Sequence, residues 1–452
     1  MNLRLSILYA VAFLPFTAPA GNWAHWRGPT GNSTAPDARP PIEWSGTKNM
    51  KWKVAIPGRG SGSPVIWGDR VFVVSAVSLE SPAPTARQAP PQRPQECRGK
   101  GKGRRGGKGF GRGSGGGGTL TKHAFKILCF DRQTGKLLWE QTAKEETPHQ
   151  RKHSTNSHAS ASPTTDGKHV FAHYGSRGLY CYTMDGRLVW KRDNFGKMNT
   201  RANFGEGSSP TLAGDKIIVP WDHEGQSSIQ ALDKRTGKTI WKTDRDEPTC
   251  WATPLVVKHN GRSQVIMNGQ TCARSYDLET GKELWRCAGQ TQRPVASAVS
   301  AGGLVVVGSG FRGSYMAAFR LGGKGDIKDT SNVVWELNRD TPDIASPLLS
   351  NGRVYFHKGK SGMLTCADAQ TGKLHYEAER ISGINSTYAS PVAANGHVYL
   401  TGRSGRTVVI KDSDSLKVVA TNSLGEGIDA TPAPVDNELF IRGERHLFCI
   451  AE

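Results

Sequence analysis

Large polar and aromatic side chains occupy turn positions of this sequence at which Gly, Ser or Asn would suffice. One group precedes recurring Ser/Thr-Pro or equivalent dipeptides and comprises Arg59, His158, Glu206, Trp251, Arg293, Asp343, Tyr388 and Asp429. A second group follows in short turns and comprises Arg177, Asp222, His223, Glu224, Arg312, Lys358, Lys360, Arg403, Arg406 and Arg442. Cations, a few carboxylates and two stacking platforms suit an anionic or sugar-like ligand, or a partner loop. The alternative is a solvated rim whose charges neutralise one another.

The run Asp222-His223-Glu224 contains residue types that bind metal ions. Three adjacent residues in one turn rarely all face the same ion, so no metal site is predicted. We also find no nucleophile and base at a spacing that would identify a catalytic centre, and we predict no catalytic residue.

A repeat of 41 to 49 residues must position these side chains, because one unit recurs along the chain. Each unit opens with Ser/Thr-Pro and an apolar run, and its third strand ends in Asp-x-x-Thr-Gly-Lys before an apolar-apolar-Trp strand. The clearest endings are Asp131 to Trp139, Asp233 to Trp241, Asp277 to Trp285 and Asp368 to Tyr376. Such units are typical of four-stranded β-propeller blades. In that fold both groups of turn residues lie on one face, around the central channel.

The number of openings and endings predicts eight blades. The last opening, at Pro432, reaches Glu452 without a Trp strand, whereas Trp52 lies in a Trp strand that no opening precedes. Pairing the two completes a blade from both ends of the chain and closes the ring. The fold class is therefore all-β, an eight-bladed β-propeller of four-stranded antiparallel blades; seven blades is the alternative. We expect one propeller domain over residues 21–452.

The composition supports strands and tight turns, since 54 Gly and 25 Pro argue against a helical bundle. The net charge is +20, but the stretch 87–122 alone holds ten Lys or Arg and one Glu. It lies in a Pro-, Gly- and Arg-rich insertion, residues 78–123, which interrupts the first blade and is predicted to be disordered. This insertion is a candidate binder of anionic or cell-wall polymer, and a solvated tether without a dedicated partner is the alternative.

The N-terminus has the pattern of a Sec-type signal peptide. Arg4 precedes an apolar stretch from Ile7 to Phe16, and Ala18-Pro19-Ala20 is a small-residue cleavage signature. Cleavage after Ala20 predicts a periplasmic or secreted protein; a buried strand or anchor helix is the alternative. No stretch is long enough for a transmembrane segment.

Eight cysteines are present, and none has the CxxC or CxxCH spacing of zinc, redox or haem sites. Most occupy strand positions that suit buried free thiols. Cys272 and Cys287 fall on neighbouring strands of one predicted blade and form a candidate disulfide.

The Asp-x-x-Thr-Gly-Lys-x-x-Trp copies resemble those of the PQQ-binding-like β-propeller repeat proteins. The segments Phe204 to Pro210, Trp221 to Gly225 and Tyr174 to Tyr180 are similar to those of exported members. The resemblance runs from about Trp23 to Glu452, apart from the insertion. One branch is the quinoprotein dehydrogenases, which hold PQQ between a Trp and a disulfide of adjacent cysteines, with calcium and an Asp base. Another is the propeller lipoprotein of the outer-membrane barrel-assembly machinery, which binds proteins.

The sequence departs from both branches. It has no Cys-Cys pair, and Trp251 beside Cys250 is only a partial match to the dehydrogenases; the lipid-attachment Cys of the lipoprotein is also missing. The leading hypothesis is therefore a monomeric, non-catalytic scaffold that binds an envelope protein, peptide or glycan, with no cofactor expected. The alternatives are a PQQ- and calcium-dependent oxidoreductase of alcohols or sugars, and a polyanion binder that acts through residues 87–122.

Overall fold

The computed structural model describes residues 21–80 and 120–452, which form a closed ring of eight antiparallel β-sheets. The predicted signal peptide, Cys97 and most of the basic insertion lie outside these residues. The predicted eight-bladed all-β propeller is confirmed. Each blade has four main strands, lettered A to D from the axis outward. Two three-residue 3₁₀ turns, Gly175–Arg177 and Arg201–Asn203, are the helical elements of the described chain.

In blades 1 to 4 the strands run in chain order from A to D. They are Val65–Trp67, Arg70–Ser78, His123–Asp131 and Leu137–Glu146 in blade 1; Thr164–Thr165, His169–His173, Leu179–Thr183 and Leu188–Arg192 in blade 2; Thr211–Ala213, Lys216–Trp221, Ser227–Asp233 and Thr239–Arg245 in blade 3; and Leu255–His259, Arg262–Met267, Ala273–Asp277 and Glu283–Cys287 in blade 4.

Blades 5 to 8 complete the ring. They are Val299–Ala301, Leu304–Ser309, Tyr315–Arg320 and Val333–Leu337 in blade 5; Leu348–Ser350, Arg353–His357, Met363–Asp368 and Leu374–Arg380 in blade 6; Val392–Ala394, His397–Thr401, Arg406–Lys411 and Val418–Ser423 in blade 7; and Ala433–Val435, Glu438–Arg442, His446–Ile450 and Met50–Ala55 in blade 8. Two short strands, Gly325–Asp326 and Thr34–Ala35, pair in parallel with strand D of blade 4 and strand A of blade 7.

Blade 8 is built from both ends of the chain, as the sequence predicts. Strand D comes from Met50–Ala55 and pairs with His446–Ile450, with Trp52 opposite Cys449. Trp52 is buried, and its indole N–H donates to the carbonyl oxygen of Arg132 in blade 1 at 2.9 Å. Because the ring closes, the sheets leave no open edge at the junction of the termini.

The recurring Asp, Gly and Trp connect five pairs of neighbouring blades in the described residues. In blade 4 the turn residue Asp277 accepts bonds from the backbone N–H and the hydroxyl of Thr280, both at 2.8 Å. Gly281 has a φ of +71°, and a Cβ there would lie 2.4 Å from the ring of Trp241 in blade 3. The glycine therefore supplies both the left-handed turn and a flat seat for the indole of the preceding blade.

The Ser/Thr that opens each repeat forms a second lock at the centre. The backbone N–H of each opening residue donates to the hydroxyl of its counterpart in the next blade, at 2.8–3.1 Å. The eight members are Ser63, Ser162, Ser209, Thr253, Ser297, Ser346, Ser390 and Thr431. We call them the hydroxyl ring; they form an unbroken circle around the axis.

Residues 21–41 cross the end of the channel opposite the predicted ligand face. Trp23 pairs with Ile66 of blade 1, and the fully buried Arg27 donates to the carbonyl oxygens of Ala298 and Pro347 in blades 5 and 6. Further along, Thr34–Ala35 adds to blade 7. This N-terminal strap therefore seals the bottom of the propeller.

Candidate functional site

The channel is a stepped cavity that opens on the face formed by the chain entries and the B–C turns. A narrow chamber of about 120 Å³ lies above the hydroxyl ring and also borders Trp26 of the strap. Its walls include the residues that stand two positions before each member of the hydroxyl ring. These residues are Ser61, Ser160, Gly207, Trp251, Val295, Ile344, Tyr388 and Asp429. The chamber is continuous in its lining with a wider cavity of about 390 Å³, which we call the top cavity.

The walls of the top cavity are largely apolar. Phe204, Trp251, Phe311 and Tyr388 line it together with two aliphatic residues of the upper channel. Trp251 is fixed because its indole N–H donates to the carbonyl oxygen of Gly205 at 2.7 Å, and its ring lies 6.4 Å from that of Phe204. An apolar or aromatic group entering from solvent would find aromatic faces on several sides.

One wall carries a stacked ion pair. Arg403 donates two hydrogen bonds to the carboxylate of Asp429, at 2.6 and 3.1 Å. Its guanidinium carbon also lies 4.0 Å from the centre of the Tyr388 ring. The bidentate pair raises the pKa of Arg403 through the hydrogen bond to Asp429. Both oxygens of Asp429 are therefore engaged by a guanidinium, which leaves a planar, rigid wall.

Arg293 is a cation of the top cavity with spare donor capacity. Its guanidinium carbon lies 3.4 Å from the centre of the Phe311 ring, and it makes one weak contact with Asp343 at 3.3 Å. Its Nε and the Oδ1 of Asp343 are buried and have no partner among the described residues. Burial lowers the pKa of Arg293, and Asp343 offsets part of that shift. Lys360 lies 3.8 Å from the same carboxylate.

A loop from blade 1 to blade 2 covers part of the opening and lies close to its charged residues. Thr155 Oγ1 lies 3.2 Å from the Tyr388 hydroxyl, so the loop reaches across the channel to blade 7. The pKa of His153 in this loop is lowered by burial, and then by the positive charges of Lys360, Arg293, Arg403 and Lys152. The mouth of the top cavity is therefore a region of positive potential.

The structure brings five of the predicted ligand residues to the top cavity. These are Trp251, Arg293, Lys360, Tyr388 and Asp429. Arg403 stacks behind Tyr388, and Asp343 contacts Arg293. Arg59, Arg403 and Arg442 border an adjoining cleft of about 100 Å³. Arg312 and Lys358 are exposed on the same face, where Lys358 pairs with Asp340 at 2.7 Å.

The other predicted residues have structural partners. Arg177 donates to Glu206 at 2.8 Å and both side chains are buried, as is Arg442, which donates to the carbonyl oxygens of Gly62 and Val74. Burial, followed by the charge of Arg177, lowers the pKa of His158 to about 3. Arg177, His158 and Glu206 are therefore not among the residues that line the top cavity, and Arg442 borders only the adjoining cleft.

The run Asp222-His223-Glu224 sends its three side chains in separate directions. Asp222 forms a fully buried bidentate pair with Arg245, at 2.8 and 3.1 Å. The Nδ1 of His223 accepts backbone N–H groups, and Glu224 accepts the hydroxyl of Thr249 at 2.7 Å. In residues 21–80 and 120–452, no group of three or more His, Cys, Asp or Glu is arranged to hold a metal ion.

The candidate Cys272–Cys287 disulfide is not formed in the structure, where both cysteines are free. Cys287 is opposite Ala273 rather than Cys272 in the register between strands C and D. Cys272 precedes strand C and is partly exposed, whereas the thiol of Cys287 is buried and contacts the carbonyl oxygen of Ala288 at 3.6 Å. The two cysteines belong to adjacent strands or their ends, as predicted, but the register of these strands does not place them opposite each other.

Several residues of the cavity were not predicted from the sequence. Phe311 lies beside Arg312 in one turn, and Phe204 lies two residues before Glu206. In each case the sequence pattern predicted the charged residue as the ligand group instead of the aromatic one. His153, Thr155 and Asn156 belong to a connecting loop outside the repeat. The residues of the upper channel could have been predicted from the sequence. Alternate side chains of an extended chain point to the same side, so the residue two positions before each opening Ser/Thr lies on the same side as that Ser/Thr.

Comparison with known proteins identifies the repeat. The family model described as "Outer membrane protein assembly factor BamB" matches residues 123–374 and 225–451. The chain belongs to this family of PQQ-like propellers. No curated protein sequence matches the chain.

Solved structures similar to this family member share its fold. Quinohemoprotein alcohol dehydrogenase from Comamonas testosteroni is 10% identical with a TM-score of 0.57, over 96% of this chain and 81% of that one. The computationally designed protein Ika8 is 12% identical with a TM-score of 0.51, over 76% and 95% of the two chains. BamB from Moraxella catarrhalis is 12% identical with a TM-score of 0.49, over 73% and 94%. At such identities the likenesses to the alcohol dehydrogenase and to Ika8 show the propeller fold alone.

The residues of the top cavity do not fit the PQQ and calcium arrangement that the resemblance implies. Asp429 is the carboxylate that lines the top cavity, and both of its oxygens are paired with Arg403. Cys250 lies beside Trp251 rather than beside another cysteine, and its thiol is buried against the carbonyl oxygens of Asn268 and Pro294, each at 3.3 Å.

No helix in the described parts of the chain is long and apolar enough to cross a membrane.

Proposed function

We propose that this protein is a non-catalytic binding scaffold of the cell envelope, whose top cavity receives part of a protein or peptide partner. The observation that carries the proposal is the top cavity itself, an aromatic pocket of about 390 Å³ with a cationic mouth. Its Asp429 carboxylate is already held by Arg403, whereas the guanidinium of Arg293 makes one side-chain hydrogen bond, to Asp343 at 3.3 Å. A ligand carboxylate could therefore pair with Arg293.

The chemistry of the cavity defines the part of a partner that would bind. Phe204, Trp251, Phe311 and Tyr388 offer faces to an aromatic or aliphatic side chain. Arg293 and Lys360 would pair with a carboxylate next to it. A segment that carries an apolar residue beside an Asp, a Glu or a C-terminal carboxylate combines both features. A glycan with an acidic sugar shares this chemistry and is the second class of ligand to test.

The family supports a role in protein binding. The matched family model is described as an outer membrane assembly factor, and an assembly factor acts on other proteins. Exposed aromatic and Arg residues are also the types that most often dominate the energy of protein interfaces.

A peptide-display selection on the protein that starts at Gly21 tests the proposal. We expect enriched peptides to pair an apolar residue with an acidic one, and to lose binding to Arg293→Ala and to the cavity-filling variant Val295→Trp. Arg235→Ala is the control, because Arg235 is exposed in an outer turn of blade 3, away from the cavity. Peptides that bind all four proteins equally would contradict the proposal.

The quinoprotein alternative is tested on the same protein. PQQ and calcium are added, and the absorption spectrum and dye reduction with simple alcohols and sugars are measured. We expect neither a bound-cofactor spectrum nor turnover. A clear positive that Val295→Trp abolishes would replace the scaffold proposal with an oxidoreductase.

A further inference from the structure

The backbone nitrogen of Gly21 lies in a site that suits a charged amine. It is 3.0 and 2.9 Å from the two carboxylate oxygens of Asp436, in the A–B turn of blade 8. As part of a peptide bond, Gly21 has a single N–H, which these two oxygens must share. An α-ammonium group has three N–H donors and a full positive charge, so it would engage each oxygen separately.

The surroundings hold this carboxylate in place. Arg132, buried in blade 1, donates to Asp436 at 2.8 Å and to the carbonyl oxygen of Gly21 at 3.3 Å. Its Nε donates to Glu438 at 2.6 Å, and Lys51 pairs with the same Glu438 at 2.6 Å. The cluster thus contains two carboxylates and two cations, and an ammonium at Gly21 would be the third cation.

The sequence supplies the reaction that would create this amine. Gly21 directly follows Ala18-Pro19-Ala20, the small-residue signature of a signal-peptide cleavage site. Hydrolysis of the Ala20–Gly21 bond adds one water, which leaves a carboxylate on Ala20 and an amine on Gly21 that takes up a proton. We propose that processing at this bond generates an α-ammonium at Gly21, and that Asp436 binds it as a built-in receptor for the mature N-terminus.

The position of the site gives the pairing a structural role. Gly21 begins the N-terminal strap, and Asp436 belongs to the blade that closes the ring. Asp436 also accepts the backbone N–H of Arg39, further along the strap, through its own carbonyl oxygen at 2.6 Å. The ammonium would fasten the free end of the strap beside the junction of the two chain termini.

The experiment uses one preparation before and after cleavage. The chain from Gly21 is fused to a leader that ends in a protease site accepting Gly after the cut bond, so that cleavage releases the native amine. The rate of acylation of the Gly21 amine by a succinimidyl ester is followed by mass spectrometry from pH 6 to 10. Wild type is compared with Asp436→Asn, Asp436→Glu and Asp329→Asn, the last being a control at another exposed Asp with positive φ.

We expect the carboxylate of Asp436 to raise the pKa of the amine above its usual 7.7–8.0, by about half a unit or more relative to Asp436→Asn. At pH 8 the amine of Asp436→Asn should therefore react about two to three times faster than that of wild type, whereas Asp329→Asn should match wild type. Asp436→Glu should lie between the two. Equal reactivity in wild type and Asp436→Asn, both folded by circular dichroism, would overturn the docking.

Two further measurements separate the halves of the proposal. N-terminal sequencing of the protein exported from cells with its own leader should begin at Gly21, and any other start would overturn the processing. Cleavage of the fusion should raise the melting temperature of wild type below pH 8. Because the folded pKa of the amine is raised, this gain should vanish as the pH rises through it, and Asp436→Asn should show no gain at any pH.

Discussion

The backbone N–H of Thr431 in blade 8 donates to the hydroxyl of Ser63 in blade 1 at 3.0 Å, across a sequence separation of 368 residues. This hydrogen bond is the last of eight equivalent bonds of the hydroxyl ring. Each backbone N–H in the ring is paired with a hydroxyl from the next blade, and a buried N–H without a partner is costly. The opening Ser/Thr of the repeat is therefore as much a part of the scaffold as the closing Trp.

Removing one hydroxyl from the ring should destabilise the protein even when the side-chain shape is kept. Thr253 accepts the N–H of Ser209 at 3.1 Å through its hydroxyl. We expect Thr253→Val to lower the free energy of unfolding by about 1–3 kcal/mol, the usual cost of an unpaired buried donor. Thr253→Ser keeps the hydroxyl and is the control. Denaturant unfolding measures both, and a valine variant as stable as the serine variant would contradict the role of the ring.

The glycine that seats each Trp should be sensitive to a single methyl group. A Cβ at Gly281 would lie 2.4 Å from the ring of Trp241, whereas one at Gly261 would meet nothing within 4 Å. Both glycines have positive φ, so both alanine variants carry the same backbone strain, about 1 kcal/mol. Gly281→Ala should cost about 1–3 kcal/mol more, because the indole must move. Equal losses by thermal unfolding would show that the contact is unimportant.

Buried histidines should weaken the fold in mild acid. Burial lowers the pKa of His357 to about 4, against about 6.5 when unfolded. The unfolded chain therefore binds a proton that the folded chain does not, so this contribution to stability is intact above pH 6.5 and falls by about 1.4 kcal/mol per pH unit towards pH 4. His25, His158 and His173 act in the same direction.

The measurement is the pH dependence of the free energy of unfolding. His357→Leu should reduce the slope of the free energy of unfolding against pH, between pH 4 and 6.5, by about 1.4 kcal/mol per pH unit, which corresponds to one proton. His259→Leu, at a partly exposed position of blade 4, should leave the slope nearer to wild type. If His357→Leu kept the full slope, the ring of His357 would have to be accessible to protons in the folded state.

The run Asp222-His223-Glu224 should behave as structure and not as a ligand set. Asp222→Asn leaves the buried guanidinium of Arg245 without its counter-ion and should cost about 3–5 kcal/mol. Glu224→Gln should cost less than about 1 kcal/mol, because the amide oxygen can still accept from Thr249. Calcium or zinc should not shift the melting temperature of wild type or of either variant. A metal-dependent shift in wild type that Asp222→Asn abolishes would contradict this assignment.

The sequence predicted the architecture well because repetition averages out local ambiguity. Trp52 without an opening and Pro432 without an ending determined how the ring closes, and the structure pairs these two segments. The Asp and Gly of each turn also have the roles that their chemistry predicts. These inferences depend on backbone geometry that every blade shares.

The candidate site was predicted only in part, because it depends on what the repeat does not fix. A charged residue in a turn can face the channel, as Arg293 does, or the neighbouring blade, as Arg177 and Arg442 do. The choice depends on whether a carboxylate or a row of carbonyl oxygens is close by, and single-chain spacing does not contain that information. The loop with His153 and Thr155 lies outside the repeat, so the repeat pattern could not predict its conformation or its position over the cavity.

The N-terminal strap has a consequence for the order in which the protein is made. Trp23 pairs with Ile66 of blade 1, but Arg27, Thr34–Ala35 and Met50–Ala55 bind blades 5 to 8, which are synthesised last. The contacts of these three segments with the last blades therefore cannot form until synthesis is complete. The native state is thus reached in a final, whole-molecule step, and a truncated chain would be left with an unsealed ring and a loose leading end.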